Sequence, residues 1–156
     1  TKITSYKLFD NHKIIDIFSE LIDINKSGFW DSANTIKLKI IEECAKQKVN
    51  GVIFTMVYSK NPKNHIFPRK IKKAIEKYGG KVFFVKLECS QEEIMKRVSE
   101  ESRKHFKKFH KKEELKDFTG RYNVHGALNF KDQLIINNTN EPARKVAQII
   151  KKHFRL

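Results

Sequence analysis

The sequence predicts an α/β fold built on a mainly parallel sheet. Short apolar runs alternate with amphipathic helical patterns along the chain, as expected for strands that are joined by helices. The 156 residues are 39% hydrophobic and include 12 Phe, so they can supply the core of one domain over residues 1–156. No repeat, low-complexity tract or linker indicates a second domain.

The first half of the chain predicts two strands and three helices. The helical segments carry apolar residues three and four positions apart, and the strands are short apolar runs. In order, we predict a strand at 6–9, a helix at 13–24, a helix at 29–48 ended by Asn50 and Gly51, a strand at 51–58, a polar loop at 59–67, and a helix that Pro68 opens and Gly79 closes.

The second half predicts two further strands and two clear helices around a very basic run. Ser90 followed by Glu93 has the spacing of a capping box. In order, we predict a buried strand at 81–87, a helix that starts at Ser90, a basic run at 103–112, a short strand at 134–136, and a final helix opened by residues 137–142.

The net charge of +15 favours an anionic ligand such as a nucleotide. The lysines are spread along the chain, and arginines and exposed aromatic residues are not clustered in an RNA-binding motif, so nucleic acid is not the expected partner. No apolar run approaches the ~20 residues of a membrane span, and we expect a cytoplasmic protein without a membrane partner. Cys44 and Cys89 are expected to be free, buried thiols.

Five segments of the chain carry a family resemblance: residues 6–12, 51–58, 89–93, 101–104 and 138–142. In this order and spacing they resemble the shikimate-kinase, adenylate-kinase and nucleoside-kinase group of P-loop phosphotransferases. They are also similar to bacterial ATP-binding proteins of that group whose substrate is uncertain. The resemblance implies a three-layer αβα P-loop NTPase fold of the nucleotide-kinase type, with a mainly parallel sheet.

The phosphate-binding loop of that family is the main departure. The 156 residues contain no G-x-x-x-x-G-K-[ST] motif. In the family the first strand, this loop and a helix precede the first matched segment, and that strand lies mid-sheet in an order like 2-3-1-4-5. A sheet without its central strand would leave two rows of backbone groups unpaired. We therefore expect roughly 20 to 30 further residues upstream; the alternatives are a degenerate homologue and a protein completed by another chain.

The resemblance assigns the acceptor site to the residues that follow the first two predicted strands. It makes Asp10 or His12 the base for the acceptor hydroxyl, and it places Asn11, His12, Thr55 and Tyr58 at the substrate. The alternative for Asp10 or Asn11 is a helix N-cap, and for Thr55 and Tyr58 a strand end facing a cleft. No acidic residue follows the second strand, so no protein ligand for a metal is assigned.

The resemblance assigns phosphate contacts to arginines near a lid at residues 99–120. Arg97 and Arg103 would neutralise charge on the transferred phosphoryl group, and Lys104 would assist them. The alternative is a solvated basic helix face paired with neighbouring glutamates. Residues 105–112, where aromatic residues alternate with lysines, fit a lid, a core helix or a nucleic-acid patch, in that order of preference.

The loop before the last helix is assigned to adenine. By resemblance, backbone groups of Asn138, Thr139 and Asn140 would bind the base edge and Pro142 would pack on its face. The same residues also predict a helix start, with Thr139 or Asn140 as the N-cap and Pro142 near the first position.

These assignments describe an ATP-dependent phosphotransferase that moves the γ-phosphoryl group of Mg·ATP to a hydroxyl of a small acceptor. ATP and Mg²⁺ are the expected cofactors, and the protein is expected to be a monomer or homodimer. The two alternative functions are a basic nucleic-acid-binding module and a degenerate, non-catalytic kinase-like protein.

Overall fold

A computed structural model describes residues 3–58, 62–100, 111–121 and 130–156 of the chain, excepting the side chains of 62–65, 118 and 121. Strands and helices alternate through these residues, as predicted. The elements are β1 (Lys7–Phe9), α1 (Asn11–Leu21), α2 (Phe29–Lys46), β2 (Val52–Phe54), α3 (Pro62–Glu76), β3 (Val85–Glu88), α4 (Gln91–Val98), α5 (Lys112–Arg121), β4 (Leu134–Asn137) and α6 (Ala143–Phe154).

The chain divides into two compact units, each with one pair of parallel strands. The first unit comprises Thr1–Val57 with Pro62–Val82, and the second comprises Tyr58–Asn61 with Phe83–Leu156. In the first, β1 pairs with β2; in the second, β3 pairs with β4. The predicted parallel pairing is therefore confirmed, but the described strands form two sheets of two strands instead of one continuous sheet.

Helices α2 and α3 cover the β1–β2 pair and form the core of the first unit. Ile41 of α2 packs with Phe67 and Ile71 of α3, and all three are buried. Phe9 and Phe54, opposite each other in the strand pair, join this cluster with ring centroids 5.4 Å apart. The apolar positions recur every four residues on both helices, which directs one face of each toward the sheet.

One charged residue lies inside this unit. Lys37 of α2 is only 2% exposed and follows Phe29 and Ala33 on the buried face of the helix. Its Nζ donates a long hydrogen bond of 3.4 Å to Asn34 Oδ1 and lies 5.9 Å from the ring centroid of Trp30. Burial lowers the pKa of this ammonium group from its ordinary 10.5 to about 8, because the charged form loses hydration.

In the second unit, α4 and α6 accompany the β3–β4 pair. Among its described residues, Val98, Ile136 and Val146 are the buried apolar side chains. Ring contacts extend this core: Phe83 lies 4.6 Å from Phe154 between centroids, and Phe84 stacks on Phe130 at 3.8 Å.

The start of α3 differs from the prediction. The segment at 59–67 was expected to be a loop and Pro68 to open the helix, but the helix begins at Pro62 and contains Pro68. Proline suits the first helical position because its φ is already helical and it has no N–H to satisfy. The buried Phe67 and Ile71, four residues apart, carry the helix through Pro68 despite the hydrogen bond that a proline removes.

The end of α2 also differs from the prediction. The last helical residue is Lys46, and Lys48, not Gly51, adopts the left-handed conformation, with a φ of 55°. Gly51 instead precedes β2, where its carbonyl accepts a 2.9 Å hydrogen bond from the Lys7 N–H. A Cβ at Gly51 would collide with the ring of Tyr6, so glycine is required here by a close approach and not by a helix cap.

Two smaller predictions can be compared with the structure. Cys44 and Cys89 are both free, as predicted, but each is half-buried and not fully buried. Helix α1 begins at Asn11, two residues before its predicted start. None of the helices within the described ranges combines the length and the apolar character that crossing a bilayer would require.

Candidate functional site

The carboxyl ends of β1 and β2 bring together four of the predicted acceptor-site residues. Phe9 is opposite Phe54 in the parallel pair, so Asp10 and Thr55 leave the sheet at the same edge, followed by Asn11 and His12 in the first turn of α1. Open α/β sheets bind ligands at this edge.

Asp10 has the N-cap role that was left open beside its catalytic role. Its Oδ1 accepts a 3.0 Å hydrogen bond from the His12 N–H, which begins α1. Asp10 and His12 are half-buried and Thr55 is exposed, so the three side chains border solvent. A carboxylate held by a cap at the edge of the sheet can still accept a proton on its second oxygen.

The other acceptor-site and lid residues belong to the second unit or lie outside the described residues. Tyr58 falls in the second unit. Ser59, which follows it, and the lid residues Arg103 and Lys104 lie outside the described residues. Of the lid at 99–120, the structure describes 99, 100 and 111–120, with α5 beginning at Lys112.

A cavity of about 470 Å³ opens at the carboxyl ends of β3 and β4. It mixes apolar and polar side chains with the thiol of Cys89. At its wall, Lys86 Nζ pairs with Glu88 Oε1 at 2.7 Å; the Lys86 side chain is 17% exposed and that of Glu88 is 46% exposed. The lining residues are Lys86, Leu87, Glu88, Cys89, Ser90, Ile94 and Asn137.

Arg97 is hydrogen-bonded to the loop that follows β4, next to this cavity. Its Nη2 donates to the carbonyl oxygens of Asn138 at 2.9 Å and Thr139 at 3.0 Å, and its Nε donates to Glu93 Oε1 at 2.9 Å. The guanidinium group therefore fixes the last turn of α4 to the loop that follows β4. Two donor atoms of Arg97 are engaged within the protein, and the contact with phosphate that the resemblance assigns to it stays a prediction.

Thr139 fixes the same loop to the end of β3. Its Oγ1 accepts a 2.9 Å hydrogen bond from the Ser90 N–H and donates to Asn137 Oδ1 at 2.7 Å. The Asn138 N–H donates to the carbonyl of Glu88 at 2.8 Å, which extends the strand ladder into the loop. The start of the loop assigned to adenine is therefore bonded both to α4 and to the end of β3.

The helix caps near the cavity match the prediction only in part. Ser90 Oγ accepts from the Glu93 N–H at 3.3 Å, which confirms Ser90 as the N-cap of α4. The Glu93 carboxylate, the second half of the expected capping box, pairs with Arg97 instead. Thr139 and Asn140 were expected to cap the last helix, but Pro142 is the N-cap of α6 and Thr139 instead fixes the loop.

Several residues at this cavity were not singled out from the sequence. Lys86, Glu88 and Asn137 alternate with apolar residues at the ends of short strands, where polar side chains normally face water. The signal that could have identified them is their position, because residues at the carboxyl ends of parallel strands gather at one edge of the sheet. In the described part of the chain, no group of three His, Cys, Asp or Glu side chains is arranged to hold a metal ion.

These features outline two polar edges, one in each unit, and a cavity at the second. No family of known proteins, no curated protein and no solved structure matches this chain in comparisons of sequence and structure.

Proposed function

We propose that this protein is an ATP-dependent phosphotransferase that binds ATP through its second unit and transfers the γ-phosphoryl group to a hydroxyl of a small acceptor. The observation that carries the proposal is the cavity at the carboxyl ends of β3 and β4, next to a loop whose backbone is fixed by Arg97 and Thr139. A pre-formed cavity with a few converging polar groups is the usual form of a small-molecule site.

The pairing of the strands also supports the proposal. In a sheet of order 2-3-1-4-5, strands 2 and 3 form one parallel pair and strands 4 and 5 form another. The pairs β1–β2 and β3–β4 have this connectivity, each with a helical crossover. Within the described residues, β2 and β3 are each paired on one side only.

The proposal gives each polar edge its own role. Backbone groups of Asn138 and Thr139 are already bonded within the protein, so the backbone of Asn140 and the exposed Pro142 would contact a purine. Asp10 or His12 would accept the proton of the acceptor hydroxyl. Arg97 positions the loop, and Arg103 and Lys104 are proposed to contact the transferred phosphoryl group. Mg²⁺ would be bound through the ATP phosphates, since magnesium often keeps only one or two protein ligands.

The test is a calorimetric titration of Mg·ATP into the purified protein, with the intact mass measured on the same sample. Saturable binding with one site per chain supports the proposal. A mass above the 18.4 kDa of the 156 residues would show that the protein carries additional residues, and the phosphate-binding loop would then be sought among them. No binding by a folded protein that carries such a loop would refute the proposal and favour the degenerate scaffold.

Variants sharpen this titration. Arg103→Ala should reduce turnover on the order of 10³-fold while changing the melting temperature little, since a lid arginine contributes little to the core. Arg69→Ala, which removes the same charge from the exposed face of α3, is the matched control and should leave turnover unchanged. A large fall in melting temperature for Arg103→Ala would instead assign that residue a structural role.

A further inference from the structure

Helix α3 and the first residue after it carry four cations on one outer face, which we name the α3 stripe: Arg69, Lys70 and Lys73 in the helix, and Lys77 directly after it. The Lys77 N–H donates to the Lys73 carbonyl at 3.1 Å, so the helical geometry continues to this residue. All four residues are exposed. At 3.6 residues per turn they occupy about 100° of the helix circumference, and Arg69 and Lys77 are separated by about 12 Å along the axis. The stripe is therefore narrow and nearly linear.

The core of the first unit fixes the direction of the stripe. Phe67 and Ile71 are 8% and 7% exposed and lie on the opposite side of the same helix. Because α3 packs through that apolar side, it presents the α3 stripe to solvent without any change of conformation.

The acidic residues near the stripe are already paired with other cations or lie at its end. Glu76, on the border of the stripe, contacts Lys72, which lies outside it. Glu42 of α2 is 3.5 Å from Lys77, the last member of the stripe. These two carboxylates therefore neutralise the C-terminal end of the α3 stripe and not its middle.

The remaining three members of the stripe are Arg69, Lys70 and Lys73, and none of them forms an ion pair with a residue that the structure describes. Adjacent like charges repel one another, and a polyanion would relieve that repulsion. The net charge of +15 reinforces the attraction at long range.

We propose that the α3 stripe binds the phosphate backbone of double-stranded nucleic acid without reading its sequence. The sequence alone did not favour such a partner, because the lysines are spread along the chain. In the structure, however, α3 and the residue after it bring four cations to one face. A length of about 12 Å spans three or four phosphates of one strand, at about 3.4 Å of axis each. The stripe contains no aromatic residue that could stack on unpaired bases, which favours a duplex over a single strand.

A membrane surface is the less suitable polyanion for this helix. Its apolar side is buried in the core, and among the described side chains of α3 only Ile66, at 51% exposed, is a large apolar residue open to solvent near the stripe. Stable attachment to a bilayer needs a broader apolar face in addition to charge. The proposal is independent of the phosphotransferase proposal, because it concerns another unit and needs no nucleotide.

The test measures fluorescence anisotropy of a labelled duplex of mixed sequence, titrated with the protein without nucleotide at several salt concentrations. The variant Lys70→Glu/Lys73→Glu reverses two charges in the stripe. The matched control, Lys13→Glu/Lys39→Glu, reverses two exposed charges on α1 and α2 and gives the same net charge. We expect a dissociation constant on the order of 10⁻⁴ to 10⁻⁶ M for the unmodified protein.

The stripe variant should weaken binding on the order of tenfold or more, and the slope of log K against log salt should become less steep by about 2. The control should retain most of the affinity. Equal losses in both variants would show that net charge alone drives binding and would overturn the proposal. If the stripe variant lost binding to phosphatidylserine vesicles but kept its duplex binding, the proposal would be overturned in favour of a membrane partner.

Discussion

Replacing Lys37 by Met should stabilise the protein at neutral pH. The side chain is 2% exposed, and its ammonium group has one long hydrogen bond, to Asn34. The fall of its pKa from 10.5 to about 8 corresponds to about 3 kcal/mol, at about 1.4 kcal/mol per pH unit. Partial hydration of buried ammonium groups reduces this figure, so we expect a gain of about 2 kcal/mol for a methionine of similar length.

The pH dependence of this gain identifies its cause. The pKa of Lys37 is lower in the folded protein than in the unfolded chain. Below about pH 8 both states are protonated and the penalty is constant. Between about pH 8 and 10.5 the unfolded chain holds more protons, so the stability of the unmodified protein rises with pH. Above that window the penalty is gone, and the advantage of Lys37→Met should disappear with it.

Urea unfolding of both proteins at about pH 7 and about pH 11 measures this difference. The protein has one tryptophan, Trp30, whose ring lies 5.9 Å from Lys37 Nζ, so its fluorescence reports on this unit. Lys39→Met, at an exposed position of the same helix, is the matched control and should change stability little at either pH. A gain of the same size at both pH values, or a loss at neutral pH, would refute the reasoning.

Three further substitutions test the remaining structural arguments. Arg97→Lys should lower the stability of the second unit by about 1–3 kcal/mol in thermal melts, because lysine cannot reproduce the forked contacts to Glu93 and the loop carbonyls; an unchanged melt would contradict this. Gly51→Ala should cost about 1–3 kcal/mol, and most of that cost should vanish in a Tyr6→Ala background, since the clash is with that ring. Ser90→Ala should cost about 1 kcal/mol through the lost cap of α4, with Ser90→Asp as a neutral control, and equal melts for Ala and Asp would argue against the cap.

The sequence predicted the order of elements better than their limits. The strand at 51–58 is reduced to Val52–Phe54, because apolar residues continue past the point where a pairing partner ends. Pro68 predicts a helix start because proline often occupies the first helical position, whereas Pro62 lies in a polar segment that predicts a loop. Both errors come from local signals that tertiary packing overrides.

At the candidate site, local roles could be predicted from the sequence but contacts between distant residues could not. Asp10 and Ser90 were predictable as caps, since a short polar residue before an apolar periodic run has a local meaning. The contacts of Arg97 with Asn138 and Thr139 join residues about 40 positions apart, and no spacing in the sequence encodes them. Lys37 could not be recognised as buried, because a lysine within a helix normally indicates the solvated face.

The parallel ladders also constrain the order in which the protein folds. Lys7 pairs with Val52, and Val85 pairs with Leu134, so each ladder closes a loop of roughly 50 residues before its first hydrogen bond forms. Local contacts within α2 and α6 carry no such entropic cost and should form first. Where ladder formation limits folding, substitutions in the strands should therefore change the folding rate more than the unfolding rate. Pulse-labelled amide exchange should then show that the N–H groups of Leu134 and Asn138 become protected late in folding.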